Sequence, residues 1–196
     1  TATTRPDVAT AAGVQTLVDA STAAAATITG GSATVADYTA AGFGRVTDDN
    51  LAAVQAALAA AGDATSRDTP AEIGAIVSMV FISGYTDLVT DVNPTVADYT
   101  AAGITGVTAD NLVSINGLLA AATPRSDVGT AAGVQTLVDA STAAAAKITG
   151  GSATATDFAD AGFDRVTDDN LAAVQAALTA AGDATSRDTL AEIGAI

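Results

Sequence analysis

Thr47-Asp48-Asp49-Asn50-Leu51-Ala52-Ala53-Val54-Gln55-Ala56-Ala57-Leu58 is the stretch whose reading decides the fold. Leu51, Val54 and Leu58 fall at helical spacing among alanines, the strongest helix formers. Val46 precedes Thr47 and pairs with Leu51 as a hydrophobic staple, so Thr47 is expected as the N-cap of a helix that begins at Asp48. Gly62 is its expected stop. The same residues return at 167–178, 120 positions later. A chain that restates a whole helix with both its boundaries is built by repetition, and repetition constrains function before any single side chain does.

Other segments follow the same offsets. Residues 13–26, Gly-Val-Gln-Thr-Leu-Val-Asp-Ala-Ser-Thr-Ala-Ala-Ala-Ala, recur at 133–146. A diverged copy lies between: Thr34 to Gly42 reappears as Thr95 to Gly103, a shift of 61. The chain is thus expected to divide into helical repeats at 1–66, 67–123 (diverged and more apolar) and 124–186. Residues 187–196 open a fourth, because Leu190-Ala191-Glu192-Ile193-Gly194-Ala195-Ile196 follows Pro70-Ala71-Glu72-Ile73-Gly74-Ala75-Ile76. On this reading the chain is a segment of a longer array.

Each repeat reads as three helices. Helix A spans about Ala11 to Ile28, with Val14, Leu17 and Val18 on one face and Gly30-Gly31 as its end. In the second repeat it opens with Thr69-Pro70-Ala71-Glu72, an N-cap, a proline at the first helical position and a glutamate to complete a capping box. Its stop there is Val92-Asn93-Pro94. Helix B is short, Val35 to Ala41, capped by Thr34 with Asp37 three residues on. Gly42 after it sets Tyr38 against Phe43 across a Schellman motif. Tyr99 with Ile104 and Phe158 with Phe163 restate the pair, and Val107 with Leu112 and Val166 with Leu171 restate the staple. The fold class expected is all-α, a head-to-tail tandem array of three-helix bundles of about 60 residues each.

The pattern Asp98-Tyr99-x-x-Ala102-Gly103-Ile104-x-x-Val107-Thr108-x-x-Asn111-Leu112 resembles the GA-like three-helix repeats of very large bacterial surface proteins and adhesins. That resemblance implies an extracellular tandem array that extends or anchors something. The chain lacks the Lys-rich helices of the albumin-binding GA modules, so albumin binding is not implied.

Composition removes several function classes. There is no His and no Cys, which takes away the usual general base, the Ser–His pair, thiolate metal sites and any disulfide framework. With seven Lys and Arg against 22 Asp and Glu, the net charge of −15 opposes nucleic acid and anionic membrane surfaces as partners. The longest apolar run, Ile76 to Ile82 with one serine, is far short of the roughly 20 residues that span a bilayer. Neither a cofactor nor an enzymatic activity is expected. The acidic, Cys-free and Thr-rich composition suits an extracellular or cell-surface location.

Few residues invite a specific chemistry. Asp48-Asp49 and Asp168-Asp169 suit the positive end of a helix dipole, and weak calcium binding is the alternative reading, though no Asp-x-Asp-x-Asp-Gly loop exists. Lys147, in place of Thr27, reads as a solvated residue on an Ala-rich helix. The anomaly is helix A of the second repeat. It carries Ile73, Ile76, Val77, Val80, Phe81, Tyr85 and Leu88 on one face, with Met79 and Ile82 off it. Such a helix must be covered on more than one side. Adjoining repeats are one source of cover. Another chain is the other, which would make Val77, Val80, Phe81, Ile82 and Tyr85 a self-assembly interface. The function expected is a structural repeat segment, a spacer or stalk or a fibre-forming scaffold. A multivalent, adhesin-type protein-binding module is the alternative.

Overall fold

The structure, a computed structural model, describes residues 10–62, 69–86, 92–181 and 190–195. Every regular element among them is helical. Residues 64–68, which the sequence reads as a polar linker, Leu88 and the expected repeat boundaries at 66 and 186 lie outside the described residues.

Helix α1 (Ala11–Thr29) begins where Thr10 accepts the amide of Gly13 and ends at Gly30, with Gly31 in the left-handed region. Helix α2 (Val35–Ala40) carries a complete capping box: the Thr34 amide donates to Asp37 Oδ2 at 2.8 Å and the Asp37 amide returns to Thr34 Oγ1. It ends as the sequence predicts. The Phe43 amide donates to the Tyr38 carbonyl at 2.8 Å and the Gly42 amide to that of Thr39, the two bonds of a Schellman motif. Gly42 has φ +95°, where a side chain would strain the backbone. Helices α5 (Val96–Ala101) and α8 (Ala155–Asp160) repeat both the capping box and the Schellman closure. Phe158 and Phe163 meet edge to face, with centroids 6.3 Å apart.

Helix α3 (Leu51–Ala60) corrects one expectation. It starts at Leu51, not at Asp48, and Thr47 does not cap it. Residues 47–50 form a turn tied by Asn50, whose Oδ1 accepts the Thr47 amide and whose Nδ2 donates to the Arg45 carbonyl, each at 2.9 Å. Asn111 before α6 (Leu112–Ala121) and Asn170 before α9 (Leu171–Ala180) make the same pair of bonds. Helix α4 (Pro70–Gly84) has the predicted Thr69–Glu72 box but stops at Gly84, so Tyr85 lies just past its end. A 3-10 turn (Arg125–Val128), α7 (Ala131–Thr149) and the short α10 (Leu190–Ile193) complete the order.

The chain divides into two compact units, 1–81 and 82–196, and the division falls within α4. The core of the first joins Ile28 of α1, Tyr38 of α2 and Val54 and Leu58 of α3 to Ile73 and Val77 of α4. Within the second unit an equivalent core joins Ile148 of α7, Phe158 of α8 and Leu178 of α9 to Ile193 of α10. Each of these four residues stands 120 positions from its counterpart. Both cores are therefore finished by the first turns of the helix that follows them.

Candidate assembly surfaces

The five residues expected as an assembly interface sit largely inside. Val77 belongs to the first core, Val80 packs against it half-buried, and Ile82 and Tyr85 are buried. The Arg45 guanidinium lies over the Phe81 ring, 4.6 Å from its centroid, a cation–π contact. The Tyr85 hydroxyl donates to Asn93 Oδ1 at 2.6 Å. The apolar excess of α4 is thus covered mainly within the chain, which turns attention to faces that are not.

Such a face exists on α1. Val14, Leu17 and Val18, expected as a packed stripe, are 46%, 39% and 50% exposed. Their counterparts in the identical stretch of α7 behave differently, with Val134 and Val138 both 0% exposed. Helix α7 is covered by α6 and by the 3-10 turn Arg125–Val128, and the segment Ile104–Val107 lies along it. There the Thr105 amide donates to Gln135 Oε1 at 2.9 Å and Gln135 Nε2 returns to the Thr105 carbonyl at 3.1 Å. Gly106 sits beside Val138, and its φ of +84° is a left-handed conformation that favours glycine. Arg125 secures the seat by donating to three carbonyls: Ser83 at 2.6 Å, Tyr85 at 2.7 Å and Leu119. Nothing in the spacing marked Gln135 or Arg125, because both act on backbone groups brought close only by folding.

An open surface also lies beside α9. A cavity of about 400 Å³ is bounded by Phe163, Val166, Val174, Leu178 and Ile193. Val46 and Val54, the counterparts of Val166 and Val174, are buried, whereas Val166 and Val174 are half-exposed.

Polar chemistry is sparse. Lys147 is exposed, yet its ammonium pairs with Asp157 Oδ1, while Oδ2 accepts the amide of Thr154 at 2.8 Å and its hydroxyl at 2.7 Å. The hydrogen bond from Lys147, followed by those from Thr154, holds the Asp157 carboxyl down at about 2. Asp37, with a threonine in place of that lysine, is also lowered, first by the Thr34 amide. Tyr99 is buried and its hydroxyl donates to Asn116 Oδ1 at 2.7 Å, and burial pushes its ionisation well above the usual range. Asp48, Asp49, Asp168 and Asp169 are exposed in the turns before α3 and α9. Among the described residues no three carboxylates gather as a metal site would require, and no helix is long and apolar enough to cross a membrane.

No protein-family model, curated protein or solved structure matches the chain. The resemblance to GA-like repeats therefore rests on the boundary residues quoted above.

Proposed function

We propose that this chain is a structural repeat segment of a bacterial extracellular or cell-surface protein, made of tandem three-helix repeats that set a distance. The observation that carries the reading is the double duty of α7. Its first half is buried at Val134 and Val138 beside α6, and its second half places Ala144 and Ile148 in the core with α8 and α9. One uninterrupted helix of 19 residues, about 28 Å long, thus belongs to two successive packing centres. A helix shared in this way resists bending at the junction, because a hinge there would break its hydrogen bonds and expose both valines.

The acidic surface supports the same role. A net charge of −15 keeps neighbouring chains apart and soluble. Small-angle scattering on the single chain tests the reading. A compact globule of this length has a radius of gyration of roughly 16 Å. The spacer is expected well above that value, and a result at it would overturn the proposal.

A further inference from the structure

Of the seven basic residues in the chain, Arg5, Arg67, Arg125 and Arg187 stand just before α1, α4, α7 and α10 in the sequence. Arg125 lies among the described residues, half-buried in the 3-10 turn between α6 and α7. One nitrogen of its guanidinium donates to the Leu119 carbonyl in the last turn of α6. The other donates to the Ser83 carbonyl in the last turn of α4 at 2.6 Å, and to the Tyr85 carbonyl just past it at 2.7 Å. Helices run short of amide donors in their last turns, so these carbonyls need an outside partner. Both helices also present the negative ends of their dipoles there, which favours a positive charge between them. The planar fork of a guanidinium reaches both at once, and a lysine ammonium does not.

The turn is held from its other side as well. Val128, its last residue, is buried. Gly133 stands in the first turn of α7, where a Cβ would lie 1.9 Å from the Asp127 carbonyl oxygen. Glycine weakens a helix relative to alanine, so its presence there answers to the close approach of the turn. The contact of α7 with α6 through Val134 and Val138 is apolar and undirected, which leaves the angle between the helices soft. The bonds between Gln135 and Thr105 are directional but exposed, where water competes for them. The Arg125 bonds are both directional and partly buried.

We propose that the turn Arg125–Val128 is a clasp with Arg125 as its latch. Fastened, it ties the ends of α4 and α6 to the start of α7 and makes that junction stiff. Released, residues 122–130 become a hinge. This inference rests on the reading of the chain as a spacer and names the device that sets its stiffness.

The chain has no cysteine, so spin labels on Val113→Cys in α6 and Ala176→Cys in α9, both exposed positions, report distances across the junction. Double electron–electron resonance on this otherwise unchanged chain is expected to give a narrow distance distribution. Arg125→Gln should broaden it while keeping the helical circular dichroism, and Arg125→Lys should broaden it too. Gly133→Ala approaches from the other side. Alanine improves the helix, so a purely local effect would raise stability and leave the distribution narrow, whereas an unseated turn broadens it. The amides of Asp127 and Gly129, bonded within the turn to the Pro124 and Ser126 carbonyls, should exchange about tenfold or more faster in each variant. If Arg125→Gln loses its helical signal, Arg125→Lys and Gly133→Ala decide. The clasp is overturned if the unchanged chain already gives a broad distribution, or if folded Arg125→Gln or Gly133→Ala keeps the narrow one. The radius of gyration of the unchanged chain is read separately, so an extended chain whose variants stay narrow keeps the spacer and removes only the clasp.

Discussion

Ser141 shows how position in the array, and not identity, sets what a residue costs. It lies in α7, buried, and its hydroxyl has no hydrogen-bond partner. A buried hydroxyl left unpaired destabilises by about 1–3 kcal/mol. Ser141→Ala is therefore expected to raise the unfolding free energy by about 1 kcal/mol, whereas Ser21→Ala, at the half-exposed copy of the site, should fall within about 0.5 kcal/mol of zero. Chemical denaturation of the two variants side by side checks this. Asp157 gives the acid limb. Its carboxyl ionises at about 2 in the folded chain, below the value near 3.9 of an unfolded aspartate. A depressed value means stability present above pH 4 and lost as the pH falls toward 2. Lys147→Met removes the first cause of that depression, so Asp157 should contribute less stability at neutral pH and a smaller loss between pH 4 and 2, as read by chemical denaturation at the two pH values.

At the scale of elements, the capping boxes and Schellman closures of α2, α5 and α8 were legible in the sequence because both are local. Each needs only a threonine, an aspartate and a glycine at fixed spacing, and the backbone does the rest. The start of α3 was not. Thr47 has the identity of an N-cap, but Asn50 takes the Thr47 amide and the Arg45 carbonyl together, which holds residues 47–50 as a turn and delays the helix to Leu51. Two bonds from one side chain outweigh a single cap. Asn50→Ala is expected to cost about 1 kcal/mol, seen as a lower denaturation midpoint at unchanged slope. Thr47→Ala should cost less, since the structure gives its side chain no capping role.

Across the whole molecule, the same substitution should have different consequences in its two copies. Val138→Asp buries a charge between α6 and α7 and is expected to cost about 3 kcal/mol or more. Val18→Asp, in identical sequence, should leave stability nearly unchanged, and thermal unfolding of the pair distinguishes them. The sequence by itself determined the helical class, the repetition and most helix ends, because helix propensity, caps and left-handed glycines act within a few residues. It also marked the apolar excess of α4. Only the tertiary structure decided which apolar faces are covered. Val14 and Val134 sit in the same residues, yet one meets solvent and the other meets α6, since burial is a property of the neighbours that folding brings up and no local sequence encodes it.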